Sequence, residues 1–317
     1  MKALPIIKRI LSSAATALFV AFVTFFALYH SPGDPAEMML MEKMGGNLNW
    51  DVVRRYSEIL GLNQGFWPMF RNWFSSMLKG DLGTSYKTAR PILTEFVSRI
   101  GVSASLAILS SAVALVLGVG LGMLSAKYKN KAVDTITRLF SSVSIALPSF
   151  WLAIAFLWLF SLKLRLFPSS GYSGIRSLIL PALVMGISSS AGLIRVTRSC
   201  VIQNMSAGYV TTARAKGITE KRVFLGHILK NIMLPILTMM TSSLISMISG
   251  SVIIEKIFGL PGVGNYLLTA INLKDFPVIL GFVFLLALIV VTINLAAEIL
   301  YFIIDPRVRQ VSYEREG

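Results

Sequence analysis

Residues 276–297 read FPVILGFVFLLALIVVTINLAA, twenty-two positions with no Asp, Glu, Lys, Arg or His. An α-helix rises 1.5 Å per residue, so about 20 apolar residues span the roughly 30 Å hydrocarbon core of a bilayer. Five more stretches of this kind come before it, at 10–29, 102–126, 139–162, 177–194 and 231–254. All 45 charged residues fall in the remaining 184 positions, where they make up about 24%. Over the whole chain of 317 residues, 55% are hydrophobic and 14% charged, against about 25% charged in soluble domains. That composition excludes a disordered chain, a disulfide scaffold and a nucleic-acid-binding domain of ordinary polarity. The expected class is an all-α integral membrane protein with six transmembrane helices.

The net charge of +15 has a membrane reading rather than a nucleic-acid one. With the N-terminus inside, the segments 1–9, 127–138, 195–230 and 298–317 carry 17 Lys or Arg in 77 residues. The outer segments 30–101, 163–176 and 255–275 carry 13 in 107. The positive-inside bias therefore places both termini in the cytoplasm of a plasma (inner) membrane. Cys200 is the single cysteine, so an internal disulfide is excluded. The stretch after Lys8-Arg9 is longer than the 7–15 residues of a signal-peptide core, and no A-x-A site follows it. It reads as a retained first span.

The connectors hold the polar structure. Segment 1–30 is the N-terminus with span one, and Ser31-Pro32-Gly33-Asp34-Pro35 ends it in a tight turn. The loop 31–101 contains Trp50, Phe66, Trp67, Phe70, Trp73 and Phe74, too many aromatics for a disordered tether. It reads as a folded outer cap. One helix is expected over 51–60, capped by Asp51 and stopped by Gly61, and another over 66–78, ending at Gly80. Residues 102–310 form the transmembrane core, and 311–317 a free tail. Pro148 in span three and Pro235 in span five are tolerated in membrane helices and often kink them. Ser188, Ser189, Ser190 and Gly192 in span four, with Ser242, Ser243, Ser246, Ser249, Gly250 and Ser251 in span five, suit close helix packing. Ser189, Ser190, Ser243, Ser246 and Gly250 are also the candidates for a small-walled polar pathway.

The cytoplasmic loop 195–230 carries seven basic residues and one acid. Ser206 is placed to cap a short helix through Lys216, and Gly217 to supply its left-handed stop. Thr219 is placed to cap a second helix, with Ile218 and Val223 at the spacing of a hydrophobic staple. Tyr209, Ala213 and Gly217 share one small face of the first helix, beside Arg214, Ala215 and Lys216. Two uses fit such a helix equally: insertion into a partner's groove, or lying basic on the membrane surface.

Tyr209-Val210-Thr211-Thr212-Ala213-Arg214-Ala215-Lys216-Gly217, then Leu234-Pro235, resembles the "EAA" loop of permease subunits in ATP-binding-cassette importers. Thr211 stands where that pattern has Glu, and the interval from Gly217 to Pro235 is similar to that of the dipeptide/oligopeptide/nickel branch. Pro32 to Ala36, Gly80 to Ser85, Arg90-Pro91, Leu147 to Trp151, Pro168 to Tyr172, Ile254 to Gly264 and Asp305 to Arg309 also look like that branch, in order along the chain. The resemblance implies a type I importer permease fold and half of a translocation pathway for a peptide-like solute, or for nickel or a nickel chelate. It implies a second related permease subunit, two cytoplasmic ATP-binding subunits that use ATP and Mg, an external solute-binding protein and surrounding membrane lipid, with no nucleic acid. Tyr209, Ala213, Arg214, Ala215, Lys216, Gly217 and Pro235 then form the ATPase-coupling element.

The sequence has no Gly-x-x-x-x-Gly-Lys-Ser/Thr loop, so ATP hydrolysis is expected in another subunit, and this chain is not expected to be an enzyme or to bind a cofactor. His30 and His227 are the only histidines, so no His/Cys metal cage is expected and none of the residues is taken as a metal ligand or catalyst. A secondary transporter would place ionisable residues near the midplane, and these stretches have none. An intramembrane hydrolase would need a base beside its serine at that depth.

Overall fold

The computed structural model describes residues 4–44 and 49–304. Among them the helices are, in order, α1 (Leu4–Tyr29), α2 (Pro35–Met44), α3 (Trp50–Ile59), α4 (Phe66–Leu78), α5 (Ile92–Lys127), α6 (Ala132–Ala146), α7 (Ser149–Phe156), α8 (Arg176–Met205), α9 (Gly208–Ala215), α10 (Glu220–Arg222), α11 (Leu229–Gly250), α12 (Val252–Ile257), α13 (Val263–Asn272) and α14 (Phe276–Ile304). Two wide π-turn segments, Leu157–Lys163 and Val223–Ile228, extend α7 and lead into α11. The expected tail 311–317 and the segment Asp305 to Arg309 lie outside the described residues.

Among the described residues four runs are long and apolar enough to cross a membrane: Ile92–Lys127, Arg176–Met205, Glu220–Gly250 and Phe276–Tyr301. The pair Ala132–Ala146 and Ser149–Lys163 makes a fifth if counted as one span, and Ala15–Tyr29 is a shorter apolar run within α1. The six uncharged stretches are therefore not six uninterrupted helices. The third is bent by 102°. Leu147 is extended (φ −83°, ψ 124°), as a following proline favours, and Pro148 is extended too. The helix restarts with the Pro148 carbonyl accepting from the Trp151 and Leu152 amides.

The chain forms two compact units. One takes the chain up to Val102 with Pro261–Thr292. Its core centres on Ile92, Phe96, Val278 and Phe282, with the Phe96 and Phe282 rings edge to face at 5.1 Å. Aromatics of the segment 31–101 pack on α1: Phe66 and Phe70 meet Phe22 and Phe25 edge to face at 5.3 to 6.1 Å. Trp50 and Trp67 remain exposed. Asn49, not Asp51, caps α3: its side chain accepts from the Asp51 amide at 2.9 Å. Gly61 and Gly80 adopt positive φ at the expected helix ends.

Two acids tie this unit together. Asp34 accepts from the Ala36 amide at 2.8 Å and from Ser57 Oγ at 3.0 Å, which joins the turn after α1 to α3. Asp275 is 1% exposed and accepts from Ser85 Oγ at 2.6 Å, the Tyr86 amide at 3.1 Å and the Lys87 amide at 3.2 Å. Burial, with the Asp275 carboxylate adding, pushes the Tyr86 hydroxyl up to about 12, so it stays a neutral donor at physiological pH.

The second unit takes Ser103–Leu260 with the chain from Ile293. Here α6, α7 and α11 pack on α8. A Cβ on Gly122 would come 2.7 Å from Thr197 Cβ, so α5 approaches α8 to backbone distance. Ser141 Oγ donates to the Ala191 carbonyl at 3.0 Å and links α6 to α8. Near the other end of α6, buried Asp134 accepts from Ser125 Oγ at 2.6 Å, the Asn130 amide at 2.9 Å, and Arg198 Nε and Nη2 at 2.8 and 2.9 Å. Glu255 is also buried and accepts from Ser103 Oγ at 2.6 Å and Ser251 Oγ at 2.8 Å.

Candidate functional site

The loop after α8 lies wholly in the second unit. Ser206 ends α8 instead of starting α9: its hydroxyl donates back to the Ile202 and Gln203 carbonyls, at 3.4 and 3.1 Å. Ala207 therefore holds the N-cap position of α9, with no side-chain hydrogen bond, and the helix runs Gly208–Ala215 instead of 206–216. Gly217 adopts φ +75° at its C-terminal side, as the spacing predicts. Thr219 holds the N-cap position of α10, and Ile218 and Val223 join the same apolar cluster.

That cluster decides which way α9 faces. Val210 is 0% exposed and Ala213 7%, packed with Val201, Val223, Ile228 and Ile232. Ala213 therefore points into the chain's own core and cannot form an outward docking face with Tyr209 and Gly217. The exposed surface consists of Tyr209, Thr211, Thr212, Arg214, Ala215, Lys216 and Gly217. Two side-chain links fix it. Tyr209 hydroxyl donates to Asn204 Oδ1 at 2.7 Å, and Arg214 makes a two-pronged contact with Glu220 across the glycine corner, at 2.7 and 3.2 Å. Val223 and Ile228 carry the cluster into α11, where Ile232 is buried and Pro235 lies inside the helix. The element is thus a short rigid helix with an apolar underside, a polar top and a packed connection to a long apolar helix.

The pathway candidates separate. Ser190 is fully buried and its hydroxyl donates to the Ile187 carbonyl at 2.8 Å, so within this chain it is a packing residue. Ser189 and Ser243 are half-buried, and Ser246 and Gly250 exposed. The residues that sequence reasoning passed over are Val210, which anchors α9, and the Asp134–Arg198 pair. The signal for Val210 was its i, i+3 spacing to Ala213. Nothing in the sequence marks Asp134, a single acid in a basic connector. Among the described residues no group of three or more His, Cys, Asp or Glu is placed to hold a metal ion.

Comparison with known proteins bears on this geometry directly. The family described as "Binding-protein-dependent transport system inner membrane component" matches residues 118–310, and its N-terminal membrane component matches 4–107. The chain belongs to this permease family. A Brucella abortus chain named "Putative peptide transport system permease protein" is 36% identical over 312 residues, 96% of this chain and 98% of that one. The Escherichia coli glutathione transport system permease protein GsiC is 33% identical over 304 residues, with the same coverage. Among solved structures, the inward-facing MetNI methionine ABC transporter superposes with a TM-score of 0.57 at 14% identity, over 69% of this chain and 100% of that one; this is a likeness of fold. The permease is therefore the multi-pass inner-membrane component of an ATP-driven importer. ATP hydrolysis resides in a separate subunit, and an ATPase and a binding protein are its partners.

Proposed function

We propose that this permease forms half of the pathway for a peptide-like solute, paired with a second related permease, two cytoplasmic ATPases and an external binding protein. Relatives named for peptide and glutathione transport, matched over 96% of the chain, support the solute class. The membrane arrangement is six spans with both termini cytoplasmic, span three being broken at Leu147-Pro148. Segments 1–30 and 31–101 then form the first span and outer cap, and 102–310 the core. Ser189, Ser243, Ser246 and Gly250 are the pathway candidates that remain.

The observation that carries the coupling role is the seating of α9. It is held from below by Val210 and Ala213 and continuous in packing with α11. A push on its polar top is passed to a membrane helix instead of being absorbed by a flexible loop. The contact with the ATPase is assigned to Tyr209, Thr212, Arg214, Ala215, Lys216 and Gly217, with Pro235 shaping the helix that receives the motion.

The test is Thr212→Trp and Ala215→Trp in the assembled importer. Both proteins accumulate in the membrane, while solute uptake and solute-stimulated ATP hydrolysis fall together. Normal uptake by either variant in a complete complex removes the coupling role from this face. A complex that purifies as a functional homomer without ATPases removes the assembly proposed.

A further inference from the structure

A cavity of about 300 Å³ opens between α6 and α8, lined by Arg138, Ser141, Ser142, Ile194, Arg195 and Arg198. Asp134, Arg138, Ser141 and Ser142 share one face of α6 by helical spacing, and Arg195 and Arg198 lie one turn apart on α8. The charges do not balance. Arg198 is committed to Asp134 by two hydrogen bonds, and Arg138 Nε reaches the same carboxylate only at 3.7 Å. Arg195 is exposed and has no acidic partner among the described residues. Three guanidinium groups thus line a cavity beside which one carboxylate, Asp134, already accepts from Ser125, Asn130 and Arg198.

The position of this surplus along the chain is specific. Arg138 immediately precedes the uncharged stretch 139–162, and Arg195 immediately follows 177–194. Both sit where the apolar spans end, at the level of lipid headgroups, if the stretches are embedded as their composition requires. Ile145, exposed one turn further along the same face of α6 as Ser141 and Ser142, offers an apolar flank to acyl chains. Planar guanidiniums bind phosphate oxygens in pairs, and basic pockets between membrane helices suit anionic headgroups.

We propose that the groove between α6 and α8 binds a phosphate anion, carried by a membrane phospholipid or by a free phosphate compound, with Arg138, Arg195 and the Ser142 hydroxyl as its donors. Asp134 orients Arg198 at the groove's edge and lowers the local charge enough for the three arginines to coexist. The proposal stands on the placement of the spans and not on the identity of the solute.

The experiment uses the purified importer complex. In one arm it is placed in bilayer discs of phosphatidylcholine with phosphatidylglycerol, and retained lipid is read by native mass spectrometry. In the other it is kept in detergent and titrated with inorganic phosphate while modification of Arg195 by phenylglyoxal is followed. Retention of phosphatidylglycerol that falls roughly ten-fold in Arg138→Gln/Arg195→Gln supports the lipid source. Protection of Arg195 by phosphate, without lipid retention, supports the free source. Lys129→Gln/Lys131→Gln removes the same charge outside the groove and retains lipid as the unaltered protein does. Equal retention in both variants together with no protection by phosphate overturns the site. So does burial of Arg195 against another subunit in the assembled complex.

Discussion

Gly217 and Ala213 lie four residues apart and respond to substitution for different physical reasons. Gly217 has open space where a Cβ would go, so a side chain there costs backbone strain at φ +75° and not a clash. Gly217→Ala costs about 1 kcal/mol at the corner, and Gly217→Asn less, since Asn tolerates the left-handed region. Hydrogen exchange across 208–222 reads this as faster opening in the Ala variant, and a β-branched residue, Gly217→Val, opens further still. Ala213 is the reverse case, with ordinary helical backbone and no room. Ala213→Trp overpacks the cluster under α9 by about 3 kcal/mol and lowers the amount of folded permease itself, which Thr212→Trp does not. At Asp134 the effect is electrostatic. Asp134→Asn leaves the partly exposed Arg198 without its charge partner and weakens the hydrogen bonds gathered at a buried carboxyl, which destabilises by about 2 kcal/mol. The double variant Asp134→Asn/Arg198→Gln recovers part of that loss, and thermal unfolding of the set in one detergent measures the coupling.

Among the elements, α9 was legible as a helix with a glycine stop, and its neighbours Thr219, Ile218 and Val223 were legible as a second start. Its first residue was not. A serine between two helices can cap either, and Ser206 closes α8 because its hydroxyl finds the Ile202 and Gln203 carbonyls. The same ambiguity moved the cap of α3 from Asp51 to Asn49. The orientation of α9 was also beyond the sequence: one apolar residue, Val210, beside a small one, Ala213, leaves the buried side undecided until the cluster around Val223 and Ile232 is formed. The third uncharged stretch was legible as apolar and its proline as a disturbance. The 102° break needs the extended Leu147, which proline favours but does not compel. In the first unit, Asp275 gathers Ser85, Tyr86 and Lys87 from 190, 189 and 188 residues away. Asp275→Asn weakens charge-assisted bonds in a buried place, by about 2 kcal/mol. Limited proteolysis then cuts between Thr84 and Arg90 earlier than in the unaltered protein.

For the whole molecule, orientation is tested with a cysteine introduced at the exposed Lys129, away from the ATPase contact, in a Cys200→Ser background. A membrane-impermeant thiol reagent leaves it unlabelled in intact cells and labels it in inverted vesicles. The reverse pattern inverts the topology proposed. Membrane class was written in the sequence because partition into hydrocarbon depends on the composition of each 20-residue stretch, and composition is local. The family was legible for the same kind of reason: its motifs are short runs such as Tyr209 to Gly217 and Ile254 to Gly264. What only the tertiary structure decided is each pairing between distant residues: Asp134 with Arg198 across 64 positions, Val210 and Ala213 against α11, Ser190 inside the helix packing, and the surplus of arginine between α6 and α8. A side chain's charge and size are fixed by its code, but its partners depend on how helices rotate and approach. That rotation is set by the packing of whole faces, which no short stretch of sequence contains.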